Sequence, residues 1–320
     1  MNMDKILVTG GAGFIGSAFV RLAVGKSKVV VLDKLTYAGD LKRLESVKGK
    51  FGFYKTDVKD INAVEKIFKT ERPDAVVNFA AETHVDRSIK SPRVFLETNI
   101  LGTQNVLEAA RKSDVKRFVH ISTDEVYGDI KSGTFTEESP LKPNNPYSAS
   151  KAAADLLIRA YFRTYGFPAM VVRPSNNYGP WQYPEKLLPL SVSRVMRGER
   201  IPVYGTGKNV REWLYVEDCA KGILRVLEKG AAGETYNLGS GEERKNIEVI
   251  SSLLRAMGAG KDMIEFVADR PGHDIRYSLD SSKIRKSLGW RPETGFEEGL
   301  KETVSWCMAH KAWLLEKEAL

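Results

Sequence analysis

The short apolar run Lys5-Ile6-Leu7-Val8-Thr9 passes without interruption into Gly10-Gly11-Ala12-Gly13-Phe14-Ile15-Gly16, and residues 15 to 24 continue with helical character. No other feature of the chain restricts its fold as much. A strand, a glycine-rich turn and a helix in that order form a dinucleotide fingerprint: Gly10 permits the tight turn, Gly13 lets backbone approach a pyrophosphate, and Gly16 lets the helix pack close. The helix N-terminus then faces the phosphates, with Phe14 and Ile15 as an apolar floor. The expected fold class is α/β, a Rossmann-type doubly wound parallel sheet.

The strands that follow support the same reading. Residues 28 to 32 end in Asp33, a carboxylate that can accept both ribose hydroxyls of NAD and would repel the 2′-phosphate of NADP; Lys34 stands beside it. Phe51 to Lys55 delivers Asp57 and Val58, an acid and an apolar residue suited to an adenine amine and ring. Residues 75 to 81 run out into Ala80 and Ala81, small enough for a cofactor to lie against the backbone. Glu82 to Ser88 is polar for a segment leaving a core strand, and in an open sheet it faces the crevice beyond the strand ends. A long helix is expected from about Pro92 to Arg111, and a fifth strand from Arg117 to Ser122.

Thr123-Asp124-Glu125 sits immediately past that strand, and Tyr147 and Lys151 lie four apart, on one face of a helix that Pro146 helps begin. Holding a phenol as phenolate at neutrality needs about 4 kcal/mol of differential stabilisation. Lys151 and an oxidised nicotinamide, both cationic, are expected to supply it. Tyr147 then takes a hydroxyl proton as hydride leaves, with Thr123 bonded to the same oxygen. Alcohol oxidation needs no more than this, so Asp124 and Glu125 point to an added acid and base that could expel water from the oxidised sugar.

Composition narrows the class. The chain has 320 residues, 42% hydrophobic and 28% charged, enough for one large core or two packed domains. It contains no uninterrupted apolar stretch of membrane-spanning length, and Met1-Asn2-Met3-Asp4-Lys5 leads into a strand instead of a signal sequence, so no membrane contact and a cytoplasmic location are expected. Cys219 and Cys307 are far apart and offer neither a disulfide framework nor a metal knuckle, so no metal is expected. The net charge of +8 comes from basic residues interspersed with acidic ones. It forms no basic stripe with interleaved aromatics, so no nucleic-acid partner is expected.

With these motifs the sequence resembles the extended short-chain dehydrogenase/reductase family, and within it the nucleotide-sugar 4,6-dehydratases. The resemblance spans nearly the whole chain: TGGAGFIG at 9–16, FAAETHVDRSI at 79–89, STDEVYGD at 122–129, YSASK at 147–151, RPSNNYGPWQYPEKLLP at 173–189, VYGTGKNVREWLYVEDCAKG at 203–222 and RPGHDIRY at 270–277. The glycine motif and the Tyr/Lys pair identify the broad family, and the Thr-Asp-Glu triplet narrows it. Departures are slight: Trp181 and Tyr183 replace other ring residues, and Cys219 stands where a histidine is common.

The resemblance implies NAD, tightly bound and regenerated in each turnover, and dTDP-glucose as substrate, in deoxysugar synthesis with dTDP-L-rhamnose as one end product. It implies Tyr147 as base at C4, Glu125 as base for the C5 proton and Asp124 as acid for the C6 oxygen. Thr98 and Asn177 join the cofactor contacts, with Tyr147 and Lys151. Glu82, His84, Asn176, Lys186, Leu187, Pro202, Tyr204, Arg211, Asn246, Arg270 and His273 are the expected substrate contacts. Residues 1–175, with returns near 213–240, are the expected NAD-binding domain; 176–212 and 241–320 form a smaller, interleaved C-terminal substrate-binding domain with helices at roughly 185–197, 246–257 and 296–317. The chain is expected to return to the main sheet near Trp213 to Lys229 and at Thr235 to Leu238. The helices at 92–111 and 147–165 carry a second apolar face, which in relatives pairs as a four-helix bundle, so a homodimer is expected. The rivals are a UDP-glucose 4,6-dehydratase, a UDP-galactose 4-epimerase, which needs no base at C5, and a silent NAD-binding regulator, which would tolerate damage to these sets.

Overall fold

The structure, a computed structural model, describes residues 3–269 and 271–318. Its first half alternates strand and helix: β1 (Lys5–Thr9), α1 (Phe14–Ala23), β2 (Lys28–Asp33), β3 (Phe51–Lys55), α2 (Ile61–Glu71) and β4 (Ala75–Asn78). A short α3 (Val85–Lys90) precedes α4 (Pro92–Phe95), which runs through a π-helical Leu96–Gly102 into α5 (Thr103–Lys112). Then come β5 (Arg117–Ile121), α6 (Pro146–Tyr165) and β6 (Ala169–Pro174). β1, β4 and β6 are buried along nearly their whole length, the pattern of parallel strands covered by helices on both faces.

The remaining elements are β7 (Asn176–Tyr178), α7 (Leu187–Met196), β8 (Ile201–Tyr204), β9 (Val210–Tyr215), α8 (Val216–Lys229), β10 (Thr235–Leu238), β11 (Glu243–Lys245), α9 (Asn246–Ala256), β12 (Ile264–Val267), α10 (Ser282–Leu288), α11 (Phe296–Ala309) and α12 (Lys311–Glu318). Seven strands build one all-parallel sheet in the order β10-β6-β5-β4-β1-β2-β3. One face packs on α1, α8 and α10 through residues such as Phe19, Ile223 and Ile284; the other packs on α2, α5 and α6 through Phe68, Leu107 and Ile158. A smaller C-terminal subdomain has its own core, with Leu188, Trp213, Ile250, Phe296 and Trp313 at its centre.

β1 pairs with β2 on one side and with β4 on the other, so the strand order reverses between β1 and β4 and a crevice opens beyond their carboxyl ends. The glycines determine how tightly it closes. Gly10 has φ +65°, and a Cβ there would lie 2.7 Å from the Ala80 nitrogen; one on Gly16 would lie 2.3 Å from the Gly10 carbonyl oxygen.

Several elements differ from their sequence-based outline. The helix expected over 92–111 carries the π-helical turn, which brings Asn99 into the interior and lets Gly102 abut Val58. The helix expected over 296–317 breaks at His310 into α11 and α12. The stretch from Trp213 does not return to the main sheet as a strand: β9 pairs in a three-stranded β11-β9-β7 sheet, and the return is made by α8, packed on α1, and by β10 at the sheet edge. Among the described residues no helix is long and apolar enough to cross a membrane.

Gly16→Ala is expected to lower unfolding stability by about 1–3 kcal/mol through overpacking. Gly13→Ala, whose methyl would meet only the Gly10 oxygen at 3.1 Å, should leave stability near wild type and weaken nucleotide binding instead. Urea unfolding of the two variants checks this.

Candidate active site

The crevice is a cavity of about 340 Å³ that gathers Gly10, Gly13, Phe14, Ile15, Gly16, Asp33, Lys34, Asp57, Val58, Ala80, Ala81, Thr98 and Asn177 on one side with Thr123, Asp124, Glu125, Tyr147 and Lys151 at its inner end. Asp33 is fixed by the turn it helps make. Its Oδ2 accepts from the Ala12 N–H at 2.9 Å and its Oδ1 from the Leu35 N–H at 2.8 Å, Leu35 having a left-handed φ of 56°. Burial raises the Asp33 carboxyl above its ordinary value, and these two N–H groups oppose the rise. Lone pairs remain for ribose hydroxyls. Lys34 turns to Asp57 at 2.8 Å, so its charge is engaged there. A glycine turn without side chains, small residues at Ala80 and Ala81, and an acceptor at Asp33 fit a dinucleotide with an unphosphorylated ribose.

Arg43 was missed by the sequence reading. It is 1% exposed and donates to the carbonyls of Ala12, Ala38 and Trp181, tying the fingerprint to two loops around the cavity. Burial pulls its guanidinium down to about 10, against the carboxylates of Asp40 and Asp33. Its role became visible only when the loops met, because nothing in the spacing of 38–43 marks it.

At the inner end, Thr123 caps a 3-10 turn over Asp124–Tyr127, its Oγ1 accepting from the Glu125 N–H at 3.3 Å and donating to Asp124 Oδ1 at 3.2 Å. Asp124 is 3% exposed, and its Oδ2 has no hydrogen-bond partner among the described residues. Burial, then the Glu125 and Glu212 carboxylates, push the Asp124 carboxyl well above its ordinary value. Glu125 is only half-buried, and its Oε2 accepts from Ser148 Oγ at 3.0 Å. Two adjacent carboxylates thus occupy different environments, one favouring the acid form and the other provided with a hydrogen-bond donor.

Tyr147 and Lys151 stand on α6, whose start is capped by Asn145 accepting from the Ser148 N–H. Lys151 Nζ donates to the Ile121 carbonyl at 2.6 Å, and burial draws its ammonium down to about 8 against the pull of Asp155. The expected lowering of the Tyr147 phenol is absent in the chain by itself. Burial and the Glu125 and Asp124 carboxylates push it up, and only a Thr123 hydrogen bond opposes them. An oxidised nicotinamide, the second cation expected beside Lys151, would act in the opposite sense to the carboxylates.

The expected substrate contacts divide. Glu82, Asn176 and Lys186 line the cavity, Lys186 Nζ donating to the Thr83 carbonyl at 3.3 Å. Burial raises the Glu82 carboxyl. The others among the described residues lie outside the cavity lining. His84 caps α3, its Nδ1 accepting from the Arg87 N–H at 3.3 Å with Nε2 3.7 Å from Glu185, and burial lowers its pKa. Leu187 begins α7, and Pro202 and Tyr204 lie in β8. Arg211 donates to the Asp274 carbonyl at 3.0 Å and stacks 4.2 Å over Tyr277. His273 Nδ1 is 2.6 Å from Asp269 Oδ1 and its ring meets Tyr204 edge-on at 6.2 Å. The N–H of Asn246 is held by the Asn209 carbonyl, and Asn209 in turn bonds Asp274. Tyr204, Arg211, Asn246 and His273 therefore converge on Asp269 and residues 273–277. Arg270 lies outside the described residues.

Four further residues escaped the sequence reading. Asn99 accepts from the Glu82 N–H at 2.8 Å and donates to Ser150 Oγ at 2.8 Å, pinning the polar loop to α6; it is reached only through the π-helical turn. Ser148 lies inside the quoted YSASK motif, and Tyr277 ends RPGHDIRY, so both were in view without a role. Burial and the Glu125 carboxylate raise the Tyr277 phenol, which donates to Asp274. Glu185, beside Lys186, lines the cavity and accepts from Tyr37 at 3.2 Å.

An all-parallel sheet with a dinucleotide turn and a Tyr/Lys pair at its crevice defines the class of extended short-chain dehydrogenase/reductases. Residues 7–303 match the family model described as GDP-mannose 4,6 dehydratase. The chain is 52% identical to the dTDP-glucose 4,6-dehydratase of Streptomyces niveus over 97% of this chain and 94% of that one. It superposes with a TM-score of 0.94, at 49% identity and covering 97% of this chain and 98% of the other, on the dTDP-glucose 4,6-dehydratase DesIV of Streptomyces venezuelae with NAD and TYD bound. The chain belongs to the dTDP-glucose 4,6-dehydratase family. A UDP-glucose 4-epimerase of Thermus thermophilus, complexed with NAD, is also similar, at TM-score 0.90 and 33% identity over 96% of this chain and 99% of that one. Overall shape is thus shared across two reactions, and the choice between them falls to the side chains.

A carboxyl with a raised folded-state pKa stabilises the fold below its unfolded pKa, and that contribution is lost as pH rises through the folded value. Asp124→Asn should therefore match wild-type stability near pH 4 and exceed it near pH 8, as read by chemical denaturation at both.

Proposed function

We propose that the protein converts dTDP-D-glucose to dTDP-4-dehydro-6-deoxy-D-glucose plus water, with NAD as a cofactor restored in each turnover. The observation that carries this reading is the pair of adjacent carboxylates beside Tyr147, with Asp124 buried toward its acid form and Glu125 half-buried and hydrogen-bonded. An epimerase has no use for a base at C5.

Bound NAD supplies the hydride acceptor for C4 and the hydride donor for C6. Tyr147 takes the proton of the C4 hydroxyl, with Thr123 bonded to the same oxygen. The C4 ketone acidifies the C5 proton, which Glu125 removes. Asp124 gives its proton to the departing C6 hydroxyl, which leaves as water. Glu125 then returns a proton to C5. The nucleoside diphosphate is gripped by Asn176, Lys186, Arg211, Arg270, Asn246 and His273, with Tyr204 offering a ring to the base. Preference for thymine over uracil rests on one methyl group, worth about 1–3 kcal/mol in a pocket, and is inferred from the relatives.

The functional division follows the two cores. Residues 1–175 with α8 and β10 hold the cofactor and carry the groups that act on the hexose, and the remainder mainly holds the nucleoside diphosphate. Exposed Val94, Leu96 and Leu101 on the helices from 92 to 112, with Leu156 and Tyr165 on α6, support a homodimer built as a four-helix bundle. Two free, buried cysteines suit a reducing cytoplasm.

The deciding experiment incubates the protein with dTDP-glucose and, separately, UDP-glucose, and follows mass. Loss of one water without net NAD consumption, far faster for the dTDP sugar, is the expected result; mass-neutral isomerisation would overturn the roles of Asp124 and Glu125. Tyr147→Phe should abolish oxidation and product together. Glu125→Gln should slow elimination by about 10²–10⁴-fold and leave the initial oxidation closer to wild type in single-turnover kinetics. Leu101→Glu with Leu156→Glu should convert a dimer to monomers in light scattering.

A further inference from the structure

A buried polar cluster lies directly behind Lys151, and its central member, His120, has no part in the reaction described above. His120 is 0% exposed on β5 and faces the α5/α6 side of the sheet. The orientation of its ring can be worked out from its neighbours. Thr9 Oγ1 accepts from the Ala80 N–H at 3.3 Å and so directs its own proton to Asn78 Oδ1 at 2.5 Å. That fixes the Asn78 carboxamide with Nδ2 toward Thr103 Oγ1 at 3.3 Å and His120 Nδ1 at 3.0 Å. Nδ1 thus accepts, and the neutral imidazole carries its proton on Nε2.

Nε2 is 3.4 Å from Lys151 Nζ. An amine at that position accepts the Nε2–H while still donating to the Ile121 carbonyl; an ammonium opposes proton to proton. A second acceptor waits nearby: Asp155 Oδ1 lies 4.0 Å from Nε2 and has no hydrogen-bond partner among the described residues, while Arg173 engages Oδ2 at 2.8 Å. The charged and titratable groups facing the imidazole are Lys151 and Asp155 from α6, with Arg173 of β6 behind Asp155. β4 and α5 present only the neutral Asn78 and Thr103.

We propose that His120 is a positioning residue for Lys151, its Nε2–H, fixed by the Asn78 carboxamide, moving between the Lys151 amine and Asp155 Oδ1 as Lys151 loses and gains its proton. Burial and the Lys151 charge hold His120 neutral, and burial brings Lys151 down to about 8, within reach of this exchange. The inference rests on the proposed role of the Tyr147/Lys151 pair. Loss of the Lys151 proton removes one of the two cations expected to favour the phenolate, so the alkaline limb of the rate profile follows Lys151.

The test uses the protein as purified with its cofactor, labelled with ¹⁵N-histidine, since the chain has only 4 histidines. The His120 resonance is assigned by its loss in His120→Asn, or, if that variant does not fold, by substituting His84, His273 and His310 in turn. The expected result is an Nε2-protonated, Nδ1-unprotonated ring at neutral pH whose Nε2 shift moves through an alkaline titration that Lys151→Met abolishes. An Nδ1-protonated ring, or a shift unmoved by that titration, overturns the proposal. In kinetics, His120→Asn admits water to Lys151 and should raise the alkaline limb by about one pH unit, a tenfold change in rate at fixed alkaline pH, with KM within about twofold. A uniform fall in kcat with the limb unmoved would mark a purely structural residue. Absence of dehydration by the wild type would sink the proposed function and leave the resonance test standing.

Discussion

The site depends on one close approach, Gly10 against the backbone of Phe79 and Ala80. β1 and β4 are parallel neighbours in the sheet, yet α1, which follows the first, and α5, which follows the second, cover opposite faces. The crevice that results is as narrow as the atoms at its base allow, and a Cβ on Gly10 would lie within 2.7–2.9 Å of three backbone atoms there. Glycine at this position therefore both permits φ +65° and keeps the fingerprint turn pressed on the exit of β4. Everything that lines the cavity afterwards, from Asp33 on one side to Tyr147 on the other, inherits its position from that contact.

Within the crevice the chemistry is a matter of unequal environments. Asp124 and Glu125 are neighbours in sequence, but the 3-10 turn capped by Thr123 sends the first into the interior and leaves the second half-exposed against Ser148. Burial is the largest influence on Asp124 and favours the form that can donate a proton. The same burial works against ionisation of Tyr147. A low-dielectric pocket that suits a proton donor is thus the wrong place for an unaided phenolate, so the base of the site, unlike its acid, needs positive charge nearby.

What could be read from sequence was what short-range spacing encodes. The fingerprint, Asp33 at the end of β2, and the Tyr147/Lys151 face all follow from strand–turn–helix order and from a four-residue helical repeat, and each lines the cavity. Asn99 could not be found that way. Its inward position requires a π-helical turn that displaces the 3.6-residue register of the helix from 92 to 112. Arg43 and Tyr277 were equally hidden, because their partners lie far away in the chain: Trp181 for Arg43, and Arg211 for Tyr277. The expected joint effect of Lys151 and an oxidised nicotinamide on Tyr147 could not be weighed from spacing, which placed the Lys151 cation but carried no measure of its desolvation.

The break at His310 has a consequence for how the two cores stay in register. A single helix to residue 317 would have continued along the small subdomain. The break instead brings α12 down to the cofactor loop, where Trp313 Nε1 donates to Asp40 Oδ2 at 2.9 Å and Lys317 pairs with the same carboxylate at 3.3 Å. Tyr183, from the loop that carries Glu185 and Lys186 to the cavity, donates to the Lys317 carbonyl at 3.0 Å. Arg43 completes the link, lying 5.3 Å over the Trp313 ring while it donates to Trp181 and Ala12. The last described helix therefore fastens the loop after β2 to the loop before α7. Both loops line the same cavity, so the placement of two of its walls is tied to a helix that lines neither.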